Sequence, residues 1–192
     1  MIRRVFGASL IVAALFSVTA KAADFISLEW GDFKLDAESA VAPKSVSVVN
    51  GNGELSLAMT LDSLVANADG AKTEGSSSFS GEFLVQQPHY VNLPAVNIEL
   101  KGHIIKTSGS TARLEVTIGN TTQTLTWAAN EVVSAPFAKT LTTPVATGQL
   151  PAPFPIGASA FVTKQAGDGA VLVSLESIDV KIGRLRVASN GH

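Results

Sequence analysis

Apolar and polar side chains alternate one by one over several stretches of the chain, which is the pattern of β-strands with one buried face. A phase change near Glu176, between Val171–Leu175 and Ile178–Ile182, predicts either a β-bulge or a strand that bends from one sheet to the other. Before that point, the apolar members of the alternating stretches are Leu55, Leu57, Met59 and Leu61; Phe79, Phe83 and Val85; Val96, Ile98, Leu100 and Ile104; and Leu114, Val116 and Ile118.

Glycine and asparagine separate these stretches at two places where a tight hairpin is expected. Asn50 to Gly53 precedes one strand, and Gly119-Asn120 joins two others. If Gly119 and Asn120 form the whole loop, Ile118 pairs with Thr121 and Thr117 with Thr122. Apolar pairs then share one face and polar pairs the other. The remaining predicted pairs are Leu114 with Leu125, Ala112 with Trp127, Glu115 with Thr124 and Arg113 with Thr126.

Three segments lack clear alternation. Residues 66–78 are rich in Gly, Ser, Ala and Asn and read as a connection, and residues 61–68 suggest a short helical turn. Residues 144–157 carry four prolines, which lack the donor that a strand ladder needs, so we expect a stiff crossover rather than a central strand. Phe154 is expected to enter the core from this crossover.

The number and spacing of the alternating stretches predict an all-β fold. Eight to ten short strands suggest a two-sheet antiparallel β-sandwich of jelly-roll type, forming a single domain over residues 23–192. A small outer-membrane β-barrel is the alternative of similar length. It requires girdles of aromatic residues, whereas the chain has two Trp and one Tyr.

The first 22 residues read as a signal peptide. Arg3 and Arg4 precede an uncharged run at residues 5–18, and Ala20-Lys21-Ala22 is a small-x-small cleavage pattern. Those 14 residues fall short of the roughly 20 that span a bilayer, so no stable membrane span is expected. We expect cleavage after Ala22 and a periplasmic, secreted or cell-surface location.

The amino-acid composition excludes several kinds of catalytic and binding site. The chain has no Cys, which excludes thiol catalysis and cysteine-based zinc sites. Once Arg3, Arg4 and Lys21 leave with the signal peptide, 11 basic residues face 16 acidic ones, a net charge of −5. No basic footprint for nucleic acid is present.

Sequence motifs point to no catalytic residue, metal ligand or cofactor. His89 and His103 match no metal-binding spacing, even with Glu82 or Glu99 as a third ligand. No Gly-x-Ser-x-Gly elbow and no phosphate-binding loop occurs. We therefore expect a protein that is not an enzyme.

Aromatic and hydroxyl side chains offer the most plausible ligand or partner surface. Its candidate residues are Trp30, His89, Tyr90, Thr117, Thr122, Thr124 and Thr126. Together these observations predict an exported, non-enzymatic binding or structural protein of the cell envelope or surface, adhesin-like or an interaction module. A carbohydrate-binding module is the alternative within the same fold. The expected partner is an envelope or extracellular protein or a glycan, and an edge strand such as residues 25–35 offers a route to self-association.

Overall fold

The computed structural model describes residues 29–51, 54–86, 90–93, 95–143, 146–149, 153–182 and 186–187. Thirteen β-strands and no helix occur within these ranges. They are β1 (Glu29–Leu35), β2 (Ser45–Gly51), β3 (Glu54–Ala68), β4 (Glu74–Gln86), β5 (Tyr90–Leu93), β6 (Val96–Lys106), β7 (Thr111–Ile118), β8 (Thr121–Trp127), β9 (Val133–Thr142), β10 (Ala146–Gln149), β11 (Phe154–Thr163), β12 (Val171–Ile182) and β13 (Arg186–Val187).

Ten of these strands form two five-stranded antiparallel sheets. The front sheet has the order β1-β4-β11-β7-β8, and the back sheet has the order β2-β3-β12-β6-β9. From β3 onward, consecutive strands of these two sheets alternate between them, except for the β7–β8 hairpin. This is the connectivity of an eight-stranded jelly roll, with β1 and β2 each added at an edge. The predicted two-sheet β-sandwich of jelly-roll type is therefore confirmed.

The core lies between the two sheets and is built by the inward phase of each strand. The front sheet contributes Phe79, Phe83, Leu114 and Val116, all at most 2% exposed. The back sheet contributes a matching layer that includes Met59, Leu61, Ile98, Leu100, Val173, Leu175, Ile178 and Val180. The predicted strand phases are thus confirmed wherever side chains are described.

The predicted hairpin register is confirmed in full. Ile118 pairs with Thr121, Thr117 with Thr122, and the pairing continues to Ala112 with Trp127. Gly119 has a φ of +58°, the left-handed conformation that a tight two-residue turn requires. Of the two alternatives for the phase change near Glu176, the bulge is correct, because β12 stays in one sheet and its register shifts between Leu175 and Ser177.

Two expectations about residues 61–78 are wrong. The segment expected as a helical turn is the second half of β3, in which Leu64, Ala66 and Ala68 are buried and alternate with exposed Val65. Leu61 and Leu64 are both buried at a spacing of three, because β3 carries extra residues opposite the β12 bulge. The expected connection is short, since β4 already begins at Glu74.

The expectation that the proline-rich segment excludes a central strand is also wrong. Phe154 to Thr163 form β11, which lies between β4 and β7. Pro155 falls beyond the last β7 partner, because the β7 pairing begins at Ile156 opposite Ile118. Its carbonyl accepts a hydrogen bond from the Gly119 N–H at 2.8 Å, so the missing donor interrupts no interior rung of the ladder. Phe154 is buried, as expected.

A third sheet of three short strands has the order β10-β5-β13 and is formed by segments that leave β4, β9 and β12. The expected signal peptide (residues 1–22), His89 and His192 lie outside the described residues. The division of the chain at Ala22 stays a prediction. No helix in the described part of the chain is long and apolar enough to cross a membrane.

Candidate functional site

The outer surface of the front sheet, called here the hydroxyl face, carries many serine and threonine side chains. It forms because every second residue of β4, β7, β8 and β11 points away from the core. Its hydroxyl-bearing members are Ser76, Ser78, Ser80, Thr111, Thr117, Thr122, Thr124, Thr126, Ser159 and Thr163. Strand pairing aligns them in rows that cross the sheet, such as Thr124, Glu115, Ser159 and Ser78.

Hydroxyl groups of neighbouring strands contact each other directly on this face. Thr117 Oγ1 lies 3.0 Å from Thr122 Oγ1, and Thr111 Oγ1 lies 2.7 Å from Thr163 Oγ1. Each hydroxyl is both a donor and an acceptor. These pairs therefore keep free lone pairs or protons for a ligand or for water.

A shallow depression of about 180 Å³ lies over the middle of the hydroxyl face. It forms where Gly157 carries no side chain between Ser80 of β4 and Thr117 of β7. Two carboxylates line it, Asp36 and Glu115, together with Ser159 and the ring of Pro155. The depression is therefore rich in hydrogen-bond acceptors and is floored by small side chains.

Asp36 is held in this position by the front sheet itself. Its backbone N–H donates to the Ser80 carbonyl at 3.0 Å, and the Ser80 hydroxyl donates to its carboxylate at 2.6 Å. Ser39 adds a further bridge, because its hydroxyl donates to the Ser80 carbonyl at 2.8 Å. The segment after β1 is thereby anchored to β4, which positions a carboxylate at the rim of the depression.

A second, more open depression of about 380 Å³ follows along β11. Phe161 and Thr163 line it together with Lys72, Glu74 and Ser76. The guanidinium carbon of Arg113 lies 4.6 Å from the centre of the Phe161 ring, a cation–π contact. Arg113 also contacts Glu115, with 3.4 Å between Nε and Oε1. Arg113 thus connects the aromatic ring of one depression to a carboxylate of the other.

Charged pairs predominate on the outer surface of the back sheet. The Lys181 ammonium, through its hydrogen bond and its charge, lowers the pKa of Glu99 below its ordinary value, and Glu99 raises the pKa of Lys181 in return. His103 Nδ1 lies 2.8 Å from Glu176 Oε1. Ion pairs among the described residues are therefore more numerous on the outer surface of the back sheet, with His103–Glu176 and Lys181–Glu99, than on that of the front sheet, which carries Arg113–Glu115.

The structure brings together only part of the predicted surface. Thr117, Thr122, Thr124 and Thr126 share one face as predicted. Trp30 lies in β1 and Tyr90 in β5 of the separate three-stranded sheet, and the side chains of both are outside the described part. The role proposed for these seven residues stays a prediction.

Sequence reasoning missed the contribution of β11 to this face. Gly157, Ser159, Phe161 and Thr163 alternate with buried Ile156, Ala158, Ala160 and Val162. That alternation was the available signal, and the preceding prolines obscured it. Among the described residues, no group of three or more His, Cys, Asp or Glu is placed to hold a metal ion.

Comparison with known proteins yields distant similarity to solved structures. No family model matches the chain, and no curated protein matches it. Among solved structures, the carbohydrate-binding module TmCBM61 in complex with β-1,4-galactotriose aligns with 79% of this chain and 86% of its own, at 14% identity and a TM-score of 0.30. A TM-score this low identifies neither a shared strand topology nor a shared ligand.

Proposed function

We propose that the protein is an exported, non-enzymatic binding module of the cell envelope or cell surface, and that it binds a glycan chain along β11 on the hydroxyl face. The observation that carries the proposal is the succession of two hydroxyl-lined depressions beside one strand, each with a carboxylate at its wall. Gly157 and Phe161 are four residues apart, about 13 Å along an extended strand. A chain ligand therefore reaches both depressions, whereas a small molecule fills only one.

The chemistry of the face matches that of a sugar. Sugar hydroxyls require partners that both donate and accept, which is what serine and threonine supply. Asp36 and Glu115 add charged acceptors, whose hydrogen bonds are stronger than those between neutral groups. Phe161 supplies an apolar surface for the C–H groups of a sugar ring.

Export is supported by the sequence of the first 22 residues. The uncharged run at residues 5–18 and the Ala20-Lys21-Ala22 pattern are typical of a cleaved leader. A protein delivered outside the cytoplasm meets the polysaccharides of the envelope and its surroundings. Location and ligand class are therefore consistent with each other.

Retention on a panel of soluble and insoluble polysaccharides tests the proposal. The protein is recovered from an exporting host, and N-terminal sequencing is expected to begin at Ala23. The wild type is expected to bind at least one polysaccharide without releasing new reducing ends. Glu115→Gln and Phe161→Ala are each expected to weaken that binding about tenfold or more, or about 1.4 kcal/mol.

Two substitutions on the outer surface of the back sheet serve as matched controls. Glu99→Gln and Ile105→Ala remove an exposed carboxylate and an exposed apolar side chain far from β11, and binding is expected to stay unchanged. Absence of retention for the wild type on every polysaccharide would refute the proposed ligand. Retention that survives both Glu115→Gln and Phe161→Ala would refute the proposed site.

A further inference from the structure

The free edge of β8 differs from the β1 and β9 edges of the two main sheets and shares with the β2 edge the absence of charge and of proline. Its seven residues, Thr121–Trp127, contain no charge, no proline and no glycine. Natural proteins protect edge strands from pairing with other chains by means of charges, prolines and bulges. Two other edges show these devices: β1, the opposite edge of the front sheet, has a bulge between Trp30 and Phe33 and carries Lys34, and β9, an edge of the back sheet, carries Pro136 and Lys139.

The backbone groups on that edge can be assigned from the hairpin. Because Ile118 and Thr121 flank a two-residue loop, they form a hydrogen-bonded pair, and the pairs alternate from there. The N–H and C=O groups of Thr122, Thr124 and Thr126 therefore point away from β7. Among the described residues, no strand pairs with this edge.

Beside β8, the inward face of the back sheet is also incompletely covered by the front sheet. The inward phase of β9 includes Ala135 and Lys139, yet both are exposed, whereas Phe137 is buried and Val133 and Leu141 are partly buried against the core. The front sheet therefore ends before it covers β9 completely. One more strand beyond β8 would lie over this uncovered part of the back sheet.

We propose that two copies of the chain pair through antiparallel β8 strands and form a symmetric dimer with one ten-stranded front sheet. With Thr124 opposite the partner's Thr124, Thr122 faces Thr126 of the partner subunit on both sides of the two-fold axis. Threonine therefore meets threonine at every outward position, a favourable cross-strand pair. No like charges meet, since β8 has none. Growth of the front sheet stops at two copies because the outer edges of the joined sheet are then the protected β1 strands.

Analytical ultracentrifugation over micromolar to millimolar concentrations, in the absence of glycan, tests this dimer separately from the proposed function. The wild type is expected to dimerise. Thr124→Lys and Thr124→Glu each place like charges opposite one another and are each expected to give monomers. An equimolar mixture of the two variants is expected to recover a heterodimer, because a lysine then faces a glutamate.

Ser47→Lys provides the matched control, since it introduces the same charge at an exposed position of edge strand β2. It is expected to leave the dimer intact, and β-sheet circular dichroism of every variant verifies folding. A wild type that stays monomeric would overturn the proposal. So would a dimer that survives Thr124→Lys, a dimer that Ser47→Lys disrupts, or a mixture that fails to reassociate.

Discussion

Two lysine side chains are buried at the ends of strands, where loop carbonyls surround their ammonium groups. Lys106, at the end of β6, is 1% exposed and donates to the carbonyls of Thr107, Ala129 and Glu131. Lys164, just after β11, donates to the carbonyls of Gly70 and Asp168, each at 2.9 Å. Each ammonium therefore ties two loops together at the end of the sandwich opposite the β7–β8 turn.

The stability contributed by Lys106 can be measured by replacing it with methionine. Lys106→Met keeps an unbranched side chain of similar length but leaves the loop carbonyls without their donor, a loss of about 1–3 kcal/mol. Urea unfolding of the variant measures this loss. Lys139→Met, at an exposed position of β9, is the control and is expected to change stability by less than about 0.5 kcal/mol. Equal effects of the two substitutions would show that the buried ammonium does not stabilise the loops.

At the scale of elements, the local sequence determines the register of the β7–β8 hairpin but not the central position of β11 in its sheet. The β7–β8 register was predictable because a two-residue turn sets it and because a slip of one residue would expose Leu114 and Leu125. β11 was not predictable as a central strand, because a proline is normally incompatible with the interior of a sheet. Only the length of the neighbouring strand β7 shows that this proline lies beyond the paired region. Pro155 is tolerated only because β7 ends at Ile118, opposite Ile156.

The β7–β8 turn requires glycine at position 119 for two reasons, its positive φ and the nearby ring of Phe154, and alanine substitutions can distinguish them. An alanine at position 119 would adopt an unfavourable positive φ, and its Cβ would lie 3.0 Å from Cε2 of Phe154. Gly70 also has a positive φ, but nothing lies within 4 Å of its Cβ position. Both alanine variants are expected to lose about 1–2 kcal/mol through the backbone, and Gly119→Ala is expected to lose more. Thermal unfolding of the two variants measures the difference, and a larger loss in Gly70→Ala would contradict the Phe154 contact.

At the scale of the whole molecule, the candidate site depends on pairings between distant parts of the chain. Glu115, Ser159 and Ser80 meet because β11 pairs with both β7 and β4. No local pattern specifies such partners, since each strand presents the same kind of alternating edge. The threonines of one hairpin were therefore predictable as a face, whereas the depression that adjoins them was not. The two-sheet class was predictable from alternation alone, and the jelly-roll strand order emerged only from the three-dimensional pairing.

The most direct measurement of the central claim is a nuclear magnetic resonance titration of the isotope-labelled protein with an oligosaccharide of a retained polysaccharide. The account predicts that amide shift changes concentrate in β4, β7 and β11, at residues such as Ser80, Glu115 and Phe161, and spare β3, β6 and β12. Shift changes that concentrate on the back sheet, or that never exceed those caused by an unrelated sugar, would contradict glycan binding on the hydroxyl face.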